Sequence, residues 1–98
     1  MIRHVVCFKL KEGASAQEAK EMLISMRGRE DTALSVEVGI DELHSSRSYD
    51  LILIVTLADF DSLTRYQTQG YHAGVVKPYM HAVTQQERSV AVDYIVDD

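Results

Sequence analysis

A chain of 98 residues, 46% hydrophobic and 26% charged, has the length and composition of one ordinary globular domain. Ten Lys and Arg against fifteen Asp and Glu give a net charge of −5 with no basic block, which excludes phosphate-driven binding of nucleic acid. The longest apolar run, Leu51–Val55, is far short of a bilayer span, and the apolar stretch Val5–Phe8 runs at once into Lys9, Lys11 and Glu12, unlike a secretory signal.

A lone Cys7 allows neither an intrachain disulfide nor a cysteine-based zinc cluster, and the expected location is the cytoplasm. Met1–Lys11 reads as a strand, with Ile2, His4, Val6, Phe8 and Leu10 on one face and Arg3, Val5, Cys7 and Lys9 on the other. Gly13 breaks it. Ser15-Ala16-Gln17-Glu18 is a capping-box signal, and Ala16, Ala19, Leu23 and Met26 follow at helical spacing. A helix is therefore predicted to about Arg27, with Gly28 ending it. The turn Arg29–Thr32, whose charges read as solvated, leads to a second strand that sets Val36, Val38 and Ile40 against Ser35, Glu37, Gly39 and Asp41.

After the polar connection His44–Ser48, Tyr49–Leu57 is a third strand with both faces apolar. Asp59 or Asp61 caps a short helix carrying Phe60, Leu63 and Tyr66, and Gly70 interrupts it. A second helical piece is predicted from near Val75 to Thr84, with Val76, Tyr79 or Met80, and Val83 inward. Pro78 is tolerable there only in the first turn or as a kink. Arg88–Val96 is the last strand, with Val90, Val92, Tyr94 and Val96 on one face, and Asp97-Asp98 reads as solvated charge.

The order β-α-β-β-α-β predicts one ferredoxin-like α+β domain over residues 1–98, with strands one and three central in a four-stranded antiparallel sheet. Helices cover one face of such a sheet. The other, carrying Val5, Cys7 and one parity of the Leu51–Val55 run, is left as an apolar patch. A second copy packed sheet to sheet covers it, which predicts a homodimeric α+β barrel with Cys7 as a small hydrophobe at the interface.

The opening Ile2-Arg3-His4-Val5-Val6-Cys7-Phe8-Lys9-Leu10-Lys11, the capped helix after it and the segment Tyr66–His72 resemble the stress-responsive A/B barrel (Dabb) family over essentially the whole chain. The resemblance implies a ferredoxin-like protomer and a homodimeric barrel. Most members have no assigned activity. The olivetolic acid cyclase type closes a linear polyketide thioester by aldol condensation without a metal or organic cofactor. It works with a tyrosine in the short helix, a histidine six positions later and a pocket-lining histidine in the first strand. Tyr66, His72 and His4 hold those positions here, although Gln69-Gly70-Tyr71-His72 lacks the His-Pro that often opens the family's loop motif.

Chemically, a histidine suits proton removal beside a carbonyl, and a tyrosine can donate to the oxygen on which enolate charge develops. The candidate site is thus His72 as base and Tyr66 as donor, with His4 and Tyr79 lining the substrate pocket, for aldol cyclisation or enolisation of a small carbonyl or polyketide-like compound. On one continuous helix, six residues would leave Tyr66 and His72 about 120° apart, so Gly70 must break the helix for them to converge. No cofactor is expected. His4, His72 and His81 lack metal-site spacing, no supporting carboxylate is evident, and His44 and His81 read as solvent-facing. Two other readings stand beside this one: a non-catalytic stress-response or ligand-binding protein with structural histidines, and a relative of cofactor-free monooxygenases or haem-associated barrels.

Overall fold

A computed structural model describes residues 1–97, and Asp98, half of the terminal charge pair, lies outside the described residues. Strand β1 is Ile2–Phe8, followed by helix α1 (Ala16–Ile24), β2 (Ala33–Ile40), β3 (Leu51–Leu57) and α2 (Phe60–Thr68). A π-helical turn, His72–Val76, then runs directly into α3 (Lys77–Val83), and β4 (Val90–Ile95) closes the chain. The strands form one antiparallel sheet in the order β2-β3-β1-β4, so the two strands that are apolar on both faces are the central ones. This is the ferredoxin-like α+β fold.

Local chemistry explains where the elements depart from expectation. β1 stops at Phe8 because Leu10 leaves the ladder. Its N–H donates to the Asp50 carboxylate (2.7 Å), and the chain pairs instead with the end of α3 through Leu10 and Thr84. Helix α1 begins as predicted, with Ser15 Oγ accepting from the Glu18 N–H (3.1 Å), although Glu18 returns no bond among the described residues. It ends at Ile24 rather than Arg27. Met26 and Arg27 bond three residues back in tightened turns, and Gly28 takes the left-handed φ of +77°. Asp59, not Asp61, caps α2 by accepting from the Ser62 N–H at 2.8 Å. Met80 rather than Tyr79 faces inward from α3, at 3% exposure.

The second helical stretch starts earlier than Val75. Pro78 has no N–H to give the preceding turn, and the Lys77 N–H reaches back five residues to the His72 carbonyl, which makes the π turn. Between sheet and helices, Leu23, Met26, Leu53, Val55, Leu57, Tyr66 and Val76 are the largest fully enclosed side chains. Each such aliphatic burial contributes about 1.5–3 kcal/mol. Phe60, by contrast, sits half-exposed on the outer side of α2.

On the uncovered face, the strand registers align residues in rows. Ser35, Thr56, Arg3 and Tyr94 form a polar row, Glu37, Ile54, Val5 and Val92 a mixed one, and Gly39, Ile52, Cys7 and Val90 an apolar one. Val92 is 62% exposed, and among the described residues every residue of β4 is exposed.

Candidate functional site

Three of the four sequence candidates come together at the end of α2. Tyr66 is on its inward face and is wholly enclosed. Beyond Thr68 the helix stops, Gln69 is extended, and Gly70 adopts φ +81°, a conformation open to glycine at little cost. This break turns the chain so that His72 comes back over Tyr66. Their rings stack with centroids 3.9 Å apart and planes 12° from parallel, in place of the divergence a continuous helix would impose.

The stack is held by the α2 terminus itself. The last carbonyls of a helix lack intrahelical donors, and the Tyr66 carbonyl accepts from His72 Nδ1 at 3.0 Å. A carbonyl only accepts, so Nδ1 carries the proton and Nε2 the lone pair.

His4 projects from β1 on the helix-facing side, edge-on to Tyr66 at 5.7 Å between centroids. The β1–β4 register places it opposite Asp93, and its Nδ1 hydrogen-bonds the Asp93 carboxylate. The reading that no carboxylate supports a histidine is thereby corrected. Asp93 is the charged residue on the inner face of β4, between Ala91 and Ile95, and that interruption of an apolar parity was the available signal. With Nδ1 given to the Asp93 carboxylate, His4, like His72, keeps Nε2 without a hydrogen bond among the described residues.

A second correction concerns Glu30. The triplet Arg29-Glu30-Asp31 was expected to be solvated, yet Glu30 is only 3% exposed while its neighbours face water. Its carboxylate accepts from the His72 N–H (2.8 Å), the Thr32 hydroxyl (2.6 Å) and the Thr32 N–H (3.3 Å). A loop position has no period to mark it as inward, so sequence offered no signal for it.

Tyr79 is not part of this group. It lines a surface groove between α1 and α3 with Glu18, Glu21, Met22, Ser25 and Tyr71. His44 and His81 are exposed, as expected.

The electrostatics follow from burial. Enclosure, and secondarily the charge of Glu30, raises the Tyr66 hydroxyl above its ordinary value, so it remains a proton donor at any physiological pH. That hydroxyl has no hydrogen-bond partner among the described residues. Burial likewise pushes His72 down to about 4, with Lys77 and His4 acting in the same direction and the Tyr66 carbonyl and Glu30 opposing them. His72 is therefore a neutral imidazole at pH 7. The larger hollows lie elsewhere. Two are of about 360 Å³, one on the open sheet face lined by Arg3, Glu37, Ile54 and Tyr94 among others, the other the groove that Tyr79 lines. On the β4 side of the group, the Asp93 side chain is 32% exposed while that of His4 is 10% exposed.

The model of the stress-responsive A/B barrel domain matches residues 2–96. No curated protein matches the sequence. Among solved structures, a dimeric ferredoxin-like protein of unknown function from Bacteroides fragilis is similar, with TM-score 0.79, 18% identity, and coverage of 97% of this chain and 95% of the other. The hydroxynitrile lyase of Passiflora edulis has TM-score 0.72 at 16% identity, covering 99% and 94%. An antibiotic biosynthesis monooxygenase has TM-score 0.71 at 16% identity, covering 100% of both chains. At such identities the likeness is one of fold, and one fold carries several chemistries. With 95 of its 98 residues matched, the chain belongs to the stress-responsive A/B barrel domain family.

Proposed function

We propose that this chain is a homodimer through its open sheet face, and that each protomer carries a cofactor-free acid–base site for a small, largely apolar carbonyl compound. The observation that carries the catalytic part is the Tyr66 hydroxyl. It is fully buried without a partner among the described residues, beside two imidazoles whose Nδ1 atoms are both occupied and whose Nε2 atoms make no hydrogen bond there. A buried unsatisfied hydroxyl costs about 1–3 kcal/mol, a cost that fits a group kept for a ligand oxygen.

Family resemblance gives proton removal to His72. The surroundings favour moving that role to His4. A proton taken by His72 puts charge in a buried site, where the ring is held neutral to about pH 4. A proton taken by His4 is offset by the Asp93 carboxylate directly behind it. In this reading His4 Nε2 removes the proton beside the substrate carbonyl, the Tyr66 hydroxyl donates to the enolate oxygen, and His72 braces the Tyr66 ring. Substrate approaches over β4, whose inner-face Ala91 and Ile95 offer an apolar rest beside Asp93.

Deuterium exchange at the α-carbon of short-chain ketones and thioesters, followed by NMR, tests this without knowledge of the natural substrate. Wild-type protein is expected to exceed the buffer rate, and His4→Gln and Asp93→Asn to lose about 10²–10⁴-fold of that excess. Full activity in His4→Gln returns the base role to His72. No exchange by wild type on any compound ends the catalytic reading. The complete burial of Tyr66 favours the rival reading, in which the three rings are core, and that reading predicts changes in stability alone.

The dimer is supported by the exposed Val90, Val92 and Tyr94 continuing the half-buried Val5, Cys7, Ile52 and Ile54 across one face, and by the dimeric Bacteroides neighbour. Light scattering at micromolar concentration is expected to give twice the 11.0-kDa chain mass, and Ile54→Asp to halve it. A monomeric wild type defeats the proposal.

A further inference from the structure

Glu30 is a buried carboxylate that pairs with no cationic side chain among the described residues. Enclosing such a charge costs several kcal/mol unless hydrogen bonds replace its water. Glu30 obtains them from Thr32 beside it and from the main chain of a distant segment, the His72 N–H. It sits where the second helical stretch begins, and free amides at a helix start favour an anion. It also sits at the break that brings His72 over Tyr66. A Cβ added to Gly70 would lie 3.5 Å from Glu30 Oε1, so the carboxylate stands at ordinary contact distance from where a side chain at that break would begin.

We propose that Glu30 is the positioning residue of the site: its carboxylate clamps the chain at His72 and so keeps the imidazole stacked on Tyr66 with Nδ1–H turned to the Tyr66 carbonyl. The inference deepens the acid–base reading and rests on it for its catalytic meaning. Gly70 has freedom that a side-chain-bearing residue would lack, and the described hydrogen bonds give the backbone of His72 one anchor outside its own helix, Glu30. Four groups face the His72 ring or its charge: Tyr66 from α2, Lys77 at the start of α3, His4 from β1, and Glu30 from the loop before β2. Of these, Glu30 and Tyr66 are the ones that also hold His72 in place by hydrogen bonds.

The test is ¹⁵N NMR of the histidine rings in the intact protein, which needs no substrate. In the wild type, His72 is expected as a single Nδ1–H tautomer, neutral from pH 7 down to pH 5. Glu30→Ala frees the break, and the expected result is a mixture of tautomers in place of the single Nδ1–H form. Glu30→Gln keeps a carbonyl oxygen for the His72 N–H and is expected to retain the wild-type tautomer. Should Glu30→Ala fail to fold, Thr32→Val loosens the carboxylate and is expected to shift the tautomer the same way, by less. A wild-type tautomer in Glu30→Ala, or in Thr32→Val where that variant stands in, overturns the proposal. So does Glu30→Gln losing the tautomer as completely as Glu30→Ala. Failure of the wild type to exchange α-protons would count against the acid–base reading and leave this readout unchanged.

Discussion

Tyr66→Phe is expected to make the protein more stable and less active. The substitution keeps the ring that fills the core and stacks on His72, and it deletes one hydroxyl, sealed from water without a partner among the described residues. Removing an unsatisfied buried donor recovers its desolvation cost, about 1–3 kcal/mol. For a domain of this size, 1 kcal/mol corresponds to a rise of roughly 4–8 °C in melting temperature. Under the proposed function the same atom stabilises the enolate, so α-proton exchange should fall by about 10²–10³-fold. Opposite signs in the two measurements are what separate a functional hydroxyl from a structural one. Denaturant melts and exchange rates on the same preparation decide it. A variant less stable than wild type shows that the hydroxyl has a partner in the folded state, and undiminished exchange removes Tyr66 from the chemistry.

The second large effect is a loss of stability between pH 6.5 and 4, assigned to His72. Its folded value is pushed down to about 4, against an ordinary value of 6.5, because burial disfavours the charged ring. Between those limits the unfolded chain binds a proton that the folded chain refuses, so stability is complete above about 6.5 and falls as pH drops. Below about 4 the loss is finished. A shift of this size corresponds to at most about 3 kcal/mol, and partial exposure of the ring reduces that to on the order of 2 kcal/mol. Other depressed groups act in a lower window. Asp59, held down chiefly by the Ser62 N–H, and Asp41, held down by the His44 N–H, stabilise the fold above the usual carboxylate range and lose that effect only below about 4. His72→Phe retains a ring to stack on Tyr66 and cannot titrate. Its stability, measured by denaturant at fixed protein concentration, is expected to be nearly flat across the window where wild type declines. His4, His44 and His81 are common to both proteins, so the difference isolates His72. Parallel pH profiles would show that the imidazole is not held neutral.

Much of the fold was legible because its information is periodic. The parity of Ile2, His4, Val6 and Phe8 marks one face of β1, and a strand apolar on both sides must be central. Ser15 sits where a helix start lacks acceptors. The helix break demanded by Tyr66 and His72 was legible as well, since six residues cannot converge on a continuous helix and Gly70 lies between them. Each of these inferences concerns a residue and its near neighbours in sequence.

The rest depends on separations that no period encodes. Asp93 meets His4 across 89 residues, and it does so through the register of β4 on β1, which the alternation of one strand leaves free by steps of two. Glu30 meets His72 across 42 residues from a loop whose two other charges are solvated, so composition alone points the wrong way. The sequence by itself thus determined the element order, the sheet face left apolar and the helix break at Gly70 that lets His72 meet Tyr66. Tertiary structure decided which polar atoms acquire partners and which, like the Tyr66 hydroxyl, are buried without one. The physical reason is that hydrophobic burial is set by patterns along the chain, whereas hydrogen bonding is set by ångström-scale distances between segments that only the folded chain brings together.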